Sequence, residues 1–149
     1  MALAKGVKGT KVLIQIGDGA DPEVFAHPCL ISTTRGIQFS STTSDINLPD
    51  CDSPDAPAWL GRVVDGLSAQ ITGEGALHVP NVDTFWSWFT SGESKNIRAN
   101  IDAPAADGGG YWEMKAVLTG FNVNGDRNNY AQASVTIASD GLVTWVPAV

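Results

Sequence analysis

From Leu67 to Val79 apolar and polar side chains alternate without a break. Leu67, Ala69, Ile71, Leu77 and Val79 share one parity, with Gly73 and Gly75 between them, and Ser68, Gln70, Thr72, Glu74 and His78 share the other. Side chains on a strand point to opposite faces in turn, so the pattern predicts a strand with one buried and one hydrated face. The next stretch, Pro80 to Gly92, predicts a short helix over about residues 81–91, capped by Asn81 or Asp83 and stopped by Gly92. Phe85, Trp88 and Phe89 fall on one face of it and are expected in the core.

The same periods recur elsewhere. Lys11 to Gly17 predicts a strand with Val12, Ile14 and Ile16 on one face, and Phe25 to Thr34 a second, interrupted near Pro28, the two forming a hairpin. Ile37 to Thr43, Asn96 to Asp102, Tyr111 to Val123, Tyr130 to Ala138 and Leu142 to Pro147 predict further strands. Turns are expected at Asp65-Gly66, at Asn124 to Asn129 and at Ser139 to Gly141. Six to eight strands with one helix make a mainly β chain, an antiparallel sandwich or barrel-like fold in a single domain over residues 1–149.

Residues 42–58 break the pattern. Asp45, Asp50, Asp52 and Asp55 stand there among three prolines with no basic residue, and Leu48 and Trp59 flank the acidic run. So long a segment without regular structure is expected to be a functional arm that stays soluble and extended until it meets a partner. Trp59 is expected as an anchor where the arm meets the body, or as a partly exposed interface aromatic. Clustered carboxylates suit calcium, but the spacing of a calcium loop and its terminal glutamate are missing, so no metal is expected.

Charge narrows the functions further. The 149 residues hold 16 acidic and nine basic side chains, a formal net charge of −7, which argues against tight binding to nucleic acid. A wall that lets nucleic acid slide past would be acidic or neutral instead. No apolar run approaches the ~20 residues of a membrane span, and the start lacks a signal-peptide core, so a soluble protein made in the cytoplasm is expected. Cys29 and Cys51 are read as two reduced thiols. His78 and Glu74 share a strand face but stand ~13 Å apart along it, too far for an acid–base pair. The triple glycine 108–110 opens onto a strand, not a helix, so it is read as a loop and not as a phosphate cradle. No nucleophile, zinc or nucleotide motif is present, so neither catalysis nor a cofactor is expected. A ligand-binding β-sandwich stacking sugars on Trp86, Trp112 or Tyr111 remains a second reading, and a small hydrolase built on His78 a third.

A strand ending in Gly36-Ile-Gln-Phe-Ser40, then a polar arm, then Trp59-Leu-Gly-Arg-Val-Val-Asp-Gly-Leu-Ser-Ala-Gln-Ile-Thr-Gly-Glu-Gly75, then one helix and more strands, resembles the major tail tube proteins of long-tailed phages and related particles, the TP901-1-like group. The likeness covers roughly residues 10 to 146. It implies a β-sandwich or half-barrel subunit, hexameric rings stacked into a tube, and delivery of double-stranded DNA through the bore without tight binding. It also implies a place in a virion or gene transfer agent tail, beside tape measure, tail terminator and distal tail proteins, and no membrane. On that basis Ser68, Gln70, Thr72 and Glu74 are candidates for the bore wall, their alternative being the ordinary outer face of a sandwich. Asp45, Leu48, Asp50, Asp52, Asp55 and Trp59 are candidates for contact between subunits or rings.

Overall fold

The computed structural model describes residues 2–149. Its strands are β1 (Val12–Gly17), β2 (Phe25–Ala26), β3 (Thr34–Leu48), β4 (Trp59–Ala76), β5 (Lys95–Ile101), β6 (Gly110–Asn124) and β7 (Gln132–Pro147), with the helix α1 (Val79–Ser91) between β4 and β5. They form one antiparallel sheet that is not closed, in the order β2-β1-β5-β6-β7-β4-β3. The chain divides into two compact units, one of residues up to Gln38 together with Ala69–Val149, the other of Phe39–Ser68.

Among the described residues, the first unit holds every buried apolar side chain. Ala69 and Ile71 on β4, Ile97 and Ala99 on β5, Met114, Ala116 and Leu118 on β6, and Ala133, Val135 and Ile137 on β7 present one continuous apolar face. The alternation expected from Leu67 to Val79 is observed over residues 69–75, where Ala69, Ile71, Gly73 and Gly75 are buried and Gln70, Thr72 and Glu74 exposed; Leu67 and Val79, expected on the buried parity, are exposed, and the strand ends at Ala76 so that Val79 opens the helix. No second sheet covers this face among the described residues. Helix α1 covers it with Phe85 and Trp88, which are 1% and 2% exposed, and the loop after β2 adds Leu30 and Ile31. Phe85 stacks on Phe121 at 5.8 Å between ring centroids. The Trp88 indole N–H donates to the Glu93 carbonyl at 2.8 Å, so burying it leaves no orphan donor.

Two glycines let that loop approach. A Cβ on Gly73 would stand 2.7 Å from Ile31, and one on Gly75 would collide with the Leu30 carbonyl oxygen. Glycine inside a strand marks close approach of other chain, and here the approaching chain is the plug at Leu30 and Ile31.

Several expected boundaries shift. The helix begins at Val79, with His78 at its N-cap and no side-chain cap, because Asn81 Oδ1 instead accepts from the Leu30 N–H at 3.3 Å. It ends at Gly92, whose left-handed φ of 67° suits glycine. The second strand shrinks to Phe25–Ala26, since the plug leaves the sheet after it. The turn at Ser139 to Gly141 is instead an irregularity inside the continuous β7, where the partner of Met114 is Val143 and that of Ala116 is Ser139. Phe89 is not a core residue. It is 44% exposed and stacks with Trp86 at 6.2 Å on the outer side of α1, because the sheet fills only the arc centred between Phe85 and Trp88.

The second unit is a hairpin made of the end of β3, a connection at residues 49–58, and the start of β4. The structureless stretch expected over 42–58 is therefore shorter, and Asp65-Gly66 lies inside a strand instead of a turn. The strand expected over Ile37–Thr43 runs on to Leu48, and with both its faces exposed, the aspartates and prolines that follow hid that extension. Ser40 and Ser68 hydroxyls meet at 2.8 Å, Ser44 donates to Asp65, and Arg62 pairs with Asp45 at 3.3 Å.

Candidate assembly surfaces

In the hairpin no residue from Phe39 to Ser68 is buried. Yet Phe39, Ile46 and Leu48 on β3, and Trp59, Leu60, Val63, Val64 and Leu67 on β4, are all exposed, Trp59 to 84% and Leu67 to 82%. Eight large apolar side chains with no core beneath them make an unusually large exposed apolar surface. Trp59 is thus exposed and does not anchor the arm in the body. At the tip Asp50 Oδ1 accepts from the Asp52 N–H at 2.9 Å, while Asp45 is held by Arg62. No group of three potential metal ligands occurs among the described residues.

The first unit's hydrated face is the second surface. Gln70, Thr72 and Glu74 on β4 lie opposite Ala138, Thr136 and Ser134 on β7, and Ser134 lies opposite Asn122 on β6. Farther across, Gln15, Arg98, Glu113 and Thr144 form one row over four strands. Ser68 belongs to the hairpin, where it meets Ser40. Sequence reasoning missed the Arg98 clamp: its guanidinium lies 3.9 Å from the Phe25 ring and 4.7 Å from that of Tyr111, with Glu113 at 3.8 Å. The only signal for it was the register that brings β2, β5 and β6 together.

The sheet's two borders differ. Strand β3 is the outermost strand on one side and fifteen residues long. On the other side β2 covers only Ile16 and Gly17 of β1. Next to it, His27 Nδ1 lies 3.1 Å from Ile14 N and 2.9 Å from Ile14 O, with Nε2 2.7 Å from Ile31 O and 2.9 Å from Arg35 Nη1. The imidazole takes the place a neighbouring backbone would occupy, so this border is blunted and β3 is the open one.

Trp86 points outward from α1, Trp112 packs on Trp145 at 4.6 Å, and Tyr111 faces Arg98 on the hydrated side. His78 sits at the start of α1. In the turn between β1 and β2, Asp18 accepts from the N–H groups of Ala20 and Val24, which hold its carboxyl below the usual range.

The chain is similar in fold to the tail of an empty gene transfer agent particle refined with C6 symmetry, with a TM-score of 0.74 and 20% identity over 95% of this chain and 99% of that one. It is also similar to the tube-terminating cap of the anti-feeding prophage, with a TM-score of 0.64 and 16% identity over 99% of this chain and 95% of that one. For the SPP1 tail tube the TM-score is 0.56 and the identity 11%, over 97% of this chain and 81% of that one. No curated protein matches its sequence. A family model described as phage tail tube protein matches residues 6–145, and on that match, spanning nearly the whole chain, it belongs to the phage tail tube protein family.

Proposed function

We propose that the protein builds a tail tube by self-assembly into hexameric rings that stack, serving as a conduit and carrying out no chemistry. The hairpin is the observation that carries this: an element of thirty residues with eight exposed large apolar side chains has no reason to stay ordered alone, and copies of the same chain can cover it. The C6 symmetry of the similar gene transfer agent tail supports six as the ring number. Asp45, Leu48, Asp50, Asp52, Asp55 and Trp59 are then contact residues between subunits or rings. Other tail components, namely tape measure, terminator and distal tail proteins, meet the tube at its core and ends.

In this reading the hydrated face, with Ser68, Gln70, Thr72 and Glu74, lines the bore through which double-stranded DNA passes. The strand residues there are not uniformly acidic. In the first unit Glu74 and Glu113 are balanced by Arg98 and Lys115, and the chain's acidic surplus sits largely in turns and at the hairpin tip. A hydroxyl- and amide-rich wall near neutrality gives phosphate little to hold, so DNA slides without the strong acidity expected from net charge. Negative-stain microscopy of the concentrated protein tests the proposal. Tubes or six-fold rings are expected, and a monodisperse monomer at high concentration would refute it.

A further inference from the structure

Arg98 puts a cation on the hydrated face, where passing phosphate would find it. It stands on β5 between Gln15 of β1 and Glu113 of β6. Its guanidinium lies over two rings, 3.9 Å from the centre of Phe25 on β2 and 4.7 Å from that of Tyr111 on β6. Nη2 is 3.8 Å from Glu113 Oε1, and Nε is buried without a hydrogen-bond partner. A buried unpaired N–H costs stability, and none of these residues belongs to the apolar core. The arrangement therefore points to work done at the surface.

We infer that Phe25, Tyr111 and Glu113 mask Arg98, so that it offsets acidic charge on this face without gripping DNA. The inference rests on the reading of the hydrated face as the bore wall. Arginine holds phosphate as a planar fork, two N–H groups to two oxygens. Here Nε–H, one arm of that fork, is buried, and Nη2 faces a carboxylate. The ring faces attract the guanidinium and offer phosphate nothing, so turning Arg98 toward DNA would cost both contacts. Lys115 on the same face is exposed, but its ammonium is a strongly hydrated point charge without a fork. In the proposed ring of six an unmasked Arg98 would recur in every copy, and phosphate contacts compound one another. A masked cation cancels the charge of Glu113 and leaves no foothold.

Fluorescence anisotropy of a short labelled DNA duplex, titrated with dilute full-length protein, tests the masking without requiring tubes. F25L/Y111L removes both rings and leaves the charge unchanged. Its affinity should exceed the parent's about fivefold at low salt, with the salt dependence steeper by about one phosphate contact, and adding R98Q should restore the parent's values. E113Q should also tighten binding, whereas E74Q, the same change of charge elsewhere on the face, should shift it by less than about twofold. Thermal melts establish that each variant is folded, and where F25L/Y111L is not, E113Q against E74Q decides. No gain over the parent, a gain that survives R98Q, or equal gains from E113Q and E74Q would overturn the masking. Tubes of a gaining variant should also carry the duplex down on sedimentation, where parent tubes do not. A gain in dilute protein that its tubes lack would remove the placement of this face in the bore and leave the masking in force.

Discussion

The two units of this chain are built on opposite principles from the same kinds of strand. In the first, fifteen apolar residues from five strands, the plug and α1 close on one another, and the polar side chains are left on the other face. In the second, strands of similar length carry side chains as apolar as those of the core, and none of them is buried. Burial of a large apolar side chain stabilises by roughly 1.5–3 kcal/mol, so the first unit can hold itself together while the second lacks that source. The difference teaches where folding stops and, in the proposed tube, assembly begins: the body is finished by its own sequence, and the hairpin is left for another copy to finish.

The most drastic way to break this contrast is to remove one side of it. Deleting residues 44–56 should abolish tubes altogether while leaving the thermal melt of the body close to the parent's. Normal tubes from the deleted protein would take the hairpin out of the account. On the body, Phe85→Ala should cost about 3–5 kcal/mol in urea unfolding, because it empties the contact with Phe121 and the sheet. Phe89→Ala, four residues along the same helix, should cost under about 1 kcal/mol, since that ring lies outside the core. Equal losses at the two positions would contradict the placement of α1.

Gly75→Ala sharpens the comparison within one strand. The added methyl meets the Leu30 carbonyl, so a cost of about 1–3 kcal/mol is expected, measurable by thermal melting. The same change at Gly36, with open space around it, should cost little. The smallest effect expected is at Asp18. Its lowered pKa means that the ionised carboxyl stabilises the fold above its unfolded value, and the contribution is lost as pH falls through the folded value. Asp18→Asn should therefore melt slightly earlier than the parent at neutral pH and together with it in acid.

The body was largely legible in the sequence. Strict alternation along Ala69 to Gly75 gave both faces of β4, and Gly92 gave the end of α1. Glycines on the inward parity also held the one available hint of the plug, since a strand gives up inward side chains only where other chain must come close. The hairpin was legible only in part: the strand expected over Ile37–Thr43 enters it, but the aspartates and prolines that follow, with neither face buried in the single chain, hid the rest of β3, and Asp65-Gly66 inside β4 resembled a turn. Phe89 misled because helical spacing says which residues share a face, and not how wide a strip of that face its neighbour covers.

The most direct test is hydrogen exchange of the hairpin amides, compared between dilute unassembled protein and assembled tubes. Amides in residues 39–68 should exchange fast when dilute and become strongly protected on assembly, while those of Ile97, Ala99, Val135 and Ile137 should be protected in both states. A hairpin equally protected in dilute protein, or still unprotected within tubes, would contradict the claim that a second copy completes it.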